Sequence, residues 1–390
     1  MSSRRNLKCT SHTTYLIKMV MLFFCSLFLF VPREGRADLK EIYQENVANL
    51  QELDLVSVDE GWVLIDQHLY RTKTGGQHWT NITPPNIGQS IIRAVSFLDT
   101  QHGWLILTKA DKGGNITYAL ARTFDGGKNW QNKELSLFEP GDVNSLAGAV
   151  YLQFIDANVG WQVIKRATSS NFSKGTLFKT TDGGDTWTQL SIPIGEPVHF
   201  VTGDIGWTAG GTAGNELYRT QDGGRSWYPQ TVGPPLALDI SQRKLYQLPV
   251  FVNAYEGVLP VIMSDGNNTE TEFYVTHDRG QSWGLATHLS VNQGIAPGTH
   301  IPLAVFDTKE WLMVSPDGRL FRKSVRSKTM TVISQDPLIP GITELDMVTP
   351  RVGWAKHMSG RYVPAIGYIL ETKLLRTNDG GQTWAVLKLP

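Results

Sequence analysis

The stretch Lys179-Thr-Thr-Asp-Gly-Gly-Asp-Thr-Trp187 occurs, with small changes, six times along the chain. Its kernel, called the box below, reads Thr-x-Asp-x-Gly-x-x-Trp. The copies are RTKTGGQHW (71–79), RTFDGGKNW (122–130), KTTDGGDTW (179–187), RTQDGGRSW (219–227), VTHDRGQSW (275–283) and RTNDGGQTW (376–384). The Trp and the second Gly are present in all six, whereas Thr74 replaces the Asp in the first. Because a spaced kernel does not recur this often by chance, the chain is a repeat protein.

A second element, an alternating segment that ends in Gly-Trp, accompanies the boxes. It is complete at SVDEGW (57–62), SFLDTQHGW (96–104), QFIDANVGW (153–161), HFVTGDIGW (199–207) and ELDMVTPRVGW (344–354), and partial at VFVNAYEGV (250–258) and AVFDTKEW (304–311). The two elements together use all 12 Trp of the chain and define seven units. Each unit of about 50 residues reads as four short strands separated by Gly, Asn and Asp, the pattern of a propeller blade. We predict an all-β fold, a seven-bladed β-propeller of four-stranded antiparallel blades over 53–390, after a lead-in segment at 38–52.

The residue types of the box suit a tight turn between the third and fourth strands of a blade. Gly supplies the positive φ that such a hairpin requires, and Asp and Thr side chains bond nearby backbone N–H groups. A buried Trp adds a large apolar surface at the start of the fourth strand. We therefore predict a structural role, without a ligand, for the box residues Asp125, Asp182, Asp222, Asp278, Asp379, Trp79, Trp130, Trp187, Trp227, Trp283 and Trp384.

The kernel resembles the Asp-box, also called the bacterial neuraminidase repeat. The paired layout, with x-Phe-x-Asp and Gly-Trp before Leu-x-Arg-Thr-x-Asp-Gly-Gly-x-Thr-Trp, is most similar to the photosystem II assembly/stability factor propellers and their non-photosynthetic bacterial relatives. The resemblance covers about residues 50–390. It implies an extracytoplasmic, non-catalytic propeller that binds a protein partner.

A basic residue recurs on the predicted third strand, two positions after a Leu. The six basic residues are Arg71, Arg122, Lys179, Arg219, Arg322 and Arg376, and Val275 stands at this position in the fifth unit. Equivalent positions in the blades of a propeller form a ring, called the basic ring below. Two interpretations stay open. The long side chains pack on a neighbouring Trp and meet a carboxylate, or they form an electropositive patch that binds an acidic partner surface.

The N-terminal segment has the three parts of a secretory signal. Residues 1–18 carry basic side chains and no acid, 19–31 are apolar, and small residues precede Asp38. We predict a cleavable signal peptide at 1–37 and a secreted, extracytoplasmic protein. The alternative is an uncleaved membrane anchor formed by residues 19–31, although 13 apolar residues are short for a membrane span.

Composition narrows the possible functions. Lys and Arg together equal Asp and Glu, 36 of each, so the chain lacks the basic excess of a nucleic-acid-binding protein. Both Cys lie before residue 26, and the His spacing does not suggest metal ligands. We predict no cofactor, no metal, no nucleic-acid partner and no catalytic residues. The favoured function is a scaffold that binds a protein, and membrane-associated proteins are among the partners that we consider. The alternative is an extracellular propeller that binds carbohydrate or hydrolyses glycosides in the manner of a sialidase.

Overall fold

The computed structural model describes residues 49–138, 148–169, 171–233, 243–295, 299–334, 336, 338–363 and 367–390. These residues form seven antiparallel β-sheets, each built from its own stretch of chain. The sheets are the blades of a seven-bladed β-propeller, which confirms the predicted fold class. The predicted signal peptide at 1–37, the alternative anchor at 19–31 and most of the lead-in segment lie outside the described residues.

The first four blades each contain four strands paired in chain order. Blade 1 contains β1 (Leu50–Leu55), β2 (Gly61–Ile65), β3 (His68–Thr72) and β4 (Thr80–Asn81). Blade 2 contains β5 (Ile91–Phe97), β6 (Gly103–Ala110), β7 (Ile116–Thr123) and β8 (Gln131–Leu135). Blade 3 contains β9 (Val150–Phe154), β10 (Gly160–Thr168), β11 (Ser173–Thr180) and β12 (Thr188–Leu190). Blade 4 contains β13 (Val198–Phe200), β14 (Gly206–Gly210), β15 (Glu216–Thr220) and β16 (Tyr228–Pro229).

The last three blades complete the ring. Blade 5 contains β17 (Arg243–Tyr246), β18 (Val250–Phe251), β19 (Gly257–Ser264), β20 (Thr269–Thr276) and β21 (Gly284–Val291). Blade 6 contains β22 (Leu303–Asp307), β23 (Glu310–Val314), β24 (Leu320–Lys323) and β25 (Thr331–Ser334). A 3-10 helix (Ile339–Gly341) leads to blade 7, which contains β26 (Ile342–Met347), β27 (Gly353–Val363), β28 (Gly367–Thr377) and β29 (Ala385–Leu387). No helix in the described part of the chain has the length and hydropathy of a membrane span.

Blade 5 departs from the predicted four strands because its innermost strand is divided. Both β17 and β18 pair with β19, and the residues between them are Gln247, Leu248 and Pro249. Pro has no N–H to donate to a strand ladder and is confined to edges and irregularities. Pro249 on this strand and Pro260 opposite it on β19, whose carbonyl accepts from the Gln247 N–H at 3.2 Å, therefore explain why the ladder stops at Tyr246 and resumes at Val250.

The hydrophobic core is a set of layers between neighbouring blades. Between blades 2 and 3, for example, Trp104 and Leu120 pack against Leu152, Phe154 and Phe178. Each sheet thus buries one face against the preceding blade and the other against the following blade, so apolar side chains are needed on both faces of the inner strands. The middle strands accordingly consist of nearly continuous apolar runs, such as β6.

The ring closes through side chains, with no strand shared between blade 1 and blade 7 in the described residues. The Asp346 Oδ2 atom accepts a hydrogen bond from the Leu55 backbone N–H at 2.5 Å. At the outer edge, the Trp79 indole N–H donates to the Lys388 carbonyl at 3.0 Å. The strand β1 starts at Leu50, three residues before the predicted start of the propeller.

Candidate functional site

The boxes and the turns between first and second strands lie together on one side of the ring, called the box face below. In blade 2 the Gly126 backbone N–H donates to the Gln101 carbonyl at 2.9 Å, and in blade 3 Gly183 donates to Asn158 at 2.8 Å. The same bond occurs in every blade that has a box. The box face is therefore a surface of paired, mutually bonded turns.

Each box is a turn that satisfies its own polar groups. In blade 3 the Thr180 hydroxyl accepts from the Gly184 N–H at 2.9 Å and donates to Asp182 Oδ1 at 2.8 Å. Asp182 also accepts from the Thr186 N–H at 2.8 Å and from its hydroxyl at 2.6 Å. The same network surrounds the other four box carboxylates, Asp125, Asp222, Asp278 and Asp379.

These hydrogen bonds keep the box carboxylates ionised. The hydroxyl and backbone N–H of Ser282 hold the pKa of Asp278 at about 2. The backbone and side-chain amides of Asn129 likewise lower the pKa of Asp125 to about 2. A carboxylate this acidic is a poor proton donor or acceptor near neutral pH.

The first box keeps the turn without its Asp. The Thr74 hydroxyl accepts from the His78 N–H at 2.9 Å, which is the bond that Asp182 makes to Thr186 in blade 3. The Thr72 hydroxyl accepts from the Gly76 N–H at 3.0 Å. A hydroxyl thus replaces one carboxylate oxygen, and the turn loses one negative charge.

The two Trp positions meet around an aromatic residue of the first strand. Trp161 of blade 3 stacks on Phe200 of blade 4 with ring centroids 3.7 Å apart and planes 2° apart, and the box Trp227 meets the edge of the same Phe200 ring at 6.0 Å. Trp104, Phe154 and Trp187 repeat this arrangement between blades 2 and 3. The second-strand Trp is buried, and the box Trp is partly exposed at the outer rim except in blade 7, where Trp384 is buried.

The basic ring connects each blade to the box of the next. Arg71 Nη1 donates to the Gly126 carbonyl at 2.9 Å, and Arg376 Nη1 donates to the Gly75 carbonyl at 2.9 Å across the closure of the ring. Arg122 lies beside Gly183, Lys179 beside Gly223, Arg219 beside Arg279 and Arg322 beside Gly380. In all six, the cation lies next to the residue that follows the box Asp, or Thr74 in the first box.

Further contacts show which groups surround these cations. Lys179 Nζ donates to the Gly203 carbonyl at 2.8 Å and lies 5.1 Å from the Trp161 ring centroid, and burial lowers its pKa. Arg71 pairs with Glu60 at 2.5 Å, whereas Arg322 pairs with Glu310. These are the contacts of the structural interpretation, with carbonyls as the main acceptors. That the basic ring binds a partner stays a prediction.

The interface between blades 5 and 6 differs from the others. Val275 stands where a ring cation would be, and Met330 directly precedes β25, where a box would place its Trp. Both belong to one apolar cluster with Trp311. The ring centroids of Trp311 and Phe273 of blade 5 lie 5.5 Å apart, so Trp311 faces the preceding blade. Trp161, in contrast, faces the following blade.

Sequence reasoning missed a stacked pair on blade 5, an exposed Tyr and a half-buried Arg. Arg279 replaces the first Gly of the box and has a φ of 63°, a backbone conformation that favours glycine. Its guanidinium lies 4.1 Å from the ring centroid of Tyr255, which is 52% exposed. The signal was present in the sequence, because VTHDRGQSW is the one copy without Gly-Gly.

A sialidase-type reaction would need a Tyr nucleophile with a Glu partner. Two Tyr hydroxyls donate to a Glu on the same third strand, Tyr218 to Glu216 at 3.1 Å and Tyr274 to Glu272 at 2.7 Å. Burial, together with the adjacent carboxylate, raises the pKa of both phenols, which keeps them protonated and weakly nucleophilic. Within the described residues, no three His, Cys, Asp or Glu side chains form a group suited to a metal ion.

The sequence of the chain is similar to a family of known proteins. A family model described as "Photosynthesis system II assembly factor YCF48" matches residues 86–322. The chain is 32% identical over 138 residues to the photosystem II assembly lipoprotein Ycf48 of Synechococcus sp. (strain CC9902), covering 34% of each chain. It is 30% identical over 166 residues to the chloroplastic photosystem II stability/assembly factor HCF136 of Arabidopsis thaliana, covering 40% of this chain and 38% of the relative.

The matched region thus spans little more than a third of the length of these two relatives. Among solved structures, the chain is similar to one described as YCF48 bound to D1 peptide, with a TM-score of 0.49 and 16% identity. That alignment covers 79% of this chain and 90% of the other.

Proposed function

This chain belongs to the family of the photosynthesis system II assembly factor YCF48, and from that premise we propose that it is a non-catalytic propeller that binds a protein partner during assembly of a larger complex. The proposed partner is a protein segment presented to the box face. The proposed location is outside the cytoplasm, where a partner embedded in a membrane is accessible from one side.

One observation carries the proposal: the polar groups that recur around the ring are bonded within the ring. The box carboxylates accept hydrogen bonds from their own turns, and the ring cations donate to the next blade. Side chains held this way make the face rigid, and a rigid surface loses little conformational entropy when a partner binds. Their protonation states and contacts suit a binding surface better than proton transfer.

The location rests on sequence pattern and relatives. Residues 1–37 have the pattern of an export signal. The two relatives are named as a lipoprotein and as a chloroplastic protein. Both names agree with a protein that works beyond a membrane.

A capture experiment tests the proposal. The full-length chain, tagged at its C-terminus, is expressed in its native host, crosslinked in intact cells and recovered from solubilised membranes. We expect a defined membrane-protein partner whose crosslinks map to the box face. A tagged chain in which the first 37 residues are removed should stay in the cytoplasm and recover none of it.

Two results would contradict the proposal. One is recovery without any partner above the level of the control. The other is turnover of sialosides or β-glucans by the purified chain above a blank, because a binding propeller should leave both substrates intact.

A further inference from the structure

The corner of the box face formed by blades 5 and 6, called the blade 5–6 corner below, carries exposed and half-buried side chains that the ring does not use. It comprises Tyr255, Arg279, Lys309, Arg326 and Lys328. Lys309, Arg326 and Lys328 are exposed, and within the described residues none of them forms an ion pair. The cations of the basic ring, such as Arg71 and Arg122, are instead bonded to carbonyls and carboxylates of the ring.

The local charge of this corner follows from the missing box. The turn of blade 6 reads KSVRSKT (323–329) and contains no acid, whereas five of the six boxes contain an Asp. Lys323 is bonded to the carbonyls of its own turn, at Ser324 with a distance of 3.0 Å and also at Ser327. That leaves Arg326 and Lys328 directed to solvent beside Val325, which is 58% exposed.

Blade 5 adds an aromatic ring and one further cation. The guanidinium of Arg279 lies over the exposed Tyr255 ring, and its Nη2 donates to the Tyr255 hydroxyl. The buried Nε of Arg279 has no hydrogen-bond partner in the described structure. The nearby carboxylate of Glu256 accepts from His277 and Asn253 at 3.0 Å each. A non-Gly residue at positive φ is a local strain that a fold retains when the side chain has a use.

We infer that the blade 5–6 corner docks an acidic peptide segment of the protein partner, an inference that rests on the proposed function. Arg and Tyr are the residue types that dominate binding energy at protein interfaces. The exposed Lys309, Arg326 and Lys328 on the adjacent blade form no ion pair within the described residues and favour a chain of carboxylates. A membrane or a nucleic acid would instead require a broad basic face, and here the boxes of blades 4 and 5 present Asp222 and Asp278.

The test measures binding of a fluorescein-labelled octa-glutamate peptide to the purified full chain by fluorescence anisotropy at low salt. An octa-glutamine peptide and vesicles of phosphatidylglycerol are the comparison ligands. The variant combines Lys309→Ala, Arg326→Ala and Lys328→Ala. Its matched control combines Lys73→Ala, Lys128→Ala and Arg225→Ala, which removes the same charge from exposed positions in other boxes.

We expect the corner variant to bind the peptide roughly tenfold more weakly than the wild-type chain, and the control variant to bind it no more than about twofold more weakly. The melting temperatures of both variants should be unchanged. Equal loss in both variants would overturn the inference, since it would show a diffuse field. Preference for the vesicles over the peptide would also overturn it.

Arg279→Gly provides a second and independent measurement. Gly relieves the positive φ, so the melting temperature should rise, and the carbonyl that Arg219 uses is retained. Peptide affinity should nevertheless fall. Wild-type affinity in this variant would show that the stacked pair has no part in docking. Because the peptide assay needs no natural partner, it can succeed even if capture from membranes fails, which separates the two proposals.

Discussion

The interface between blades 3 and 4 and the interface between blades 5 and 6 solve the same packing problem in opposite ways. In the first, the preceding blade supplies Trp161 and Lys179, and the following blade supplies Phe200 and a box. In the second, the preceding blade supplies Val275, and the following blade supplies the Trp, Trp311. Each interface contains a fully buried Trp, and the blade that supplies this Trp differs.

The backbone register of blade 6 explains the reversal. In blade 3, Trp161 is paired with the ring cation Lys179. In blade 6, Trp311 is paired with Lys323, and Arg322 is paired with Leu312. The side chains of adjacent residues on a strand point to opposite faces, so a displacement of one residue exchanges the faces. Trp311 therefore faces blade 5, while Arg322 still reaches blade 7.

The comparison also shows that each ring cation depends on the box of the next blade. Blade 6 has no box, and blade 5, which precedes it, has no cation at Val275. Arg322 of blade 6 is present because blade 7 has a box beside it. The recurring basic residues thus have a structural role in each blade that carries one, and a role in partner binding stays a prediction.

The largest expected effect tests whether the two interfaces are energetically equivalent. Trp161 and Trp311 are both fully buried, so Trp161→Ala and Trp311→Ala should each destabilise the fold by about 3–5 kcal/mol. Chemical denaturation measures both values. Trp227→Ala should destabilise the fold by less, because Trp227 is partly exposed. A Trp311→Ala variant as stable as wild type would show that the reversed interface does not depend on its aromatic side chain.

The next prediction exchanges the residue types at the ring-cation position between two kinds of interface, one with a box in the following blade and one without. Val275→Arg places a guanidinium in an apolar cluster without a box carbonyl to accept its hydrogen bonds, and should cost about 2–3 kcal/mol. Arg122→Val removes the hydrogen bond to the Gly183 carbonyl and the partly exposed ion pair with Asp185 from the other kind of interface, and should cost about 1 kcal/mol. Thermal unfolding of both variants checks the order. The reverse order would mean that the cations do not depend on the boxes.

The sequence predicts the fold well because the repeats encode it directly. The number of blades, the strand order and the positions of the ring cations follow from spacing alone. The divided first strand of blade 5 and the reversed Trp311 were not predicted, since each depends on a local change of ladder pairing. The sequence shows that Arg279 replaces a Gly of the box. Its stacking on Tyr255 could not be predicted, because it depends on the geometry of two separate turns.

A third prediction extends the comparison to the interface where the two ends of the ring meet. Burial and the Glu344 carboxylate raise the pKa of Glu52 to about 8, although Lys356 lowers it in part. Lys356 also holds blade 1 through a 2.7 Å hydrogen bond to the Gln51 carbonyl. In this interface two carboxylates share one ammonium group.

The sign of the pH effect follows from proton binding. Between about pH 4.5 and 8 the folded state retains the Glu52 proton that the unfolded chain loses, so the free energy of unfolding falls as pH rises through this window and levels off above it. Glu52→Gln should remove this dependence and stabilise the fold at pH 8 by about 2 kcal/mol, less than the full shift because the side chain is partly exposed. Urea denaturation of both chains at several pH values measures it. Parallel pH profiles for the two chains would exclude Glu52 as the titrating group.

The last prediction tests whether a box contributes to the stability of the fold or to partner binding. Asp182→Ala leaves the Thr186 N–H and the Thr180 hydroxyl without their acceptor, so it should destabilise the fold by about 1–2 kcal/mol and leave partner capture intact. The control is Asp185→Ala in the same turn, whose carboxylate is 44% exposed and 3.2 Å from Arg122, and whose removal should change stability by well under ~1 kcal/mol. If Asp182→Ala instead retained wild-type stability and lost the partner, the box would be part of the binding surface. The reason that six blades keep this turn would then be recognition, and blade 6 would mark the edge of the contact.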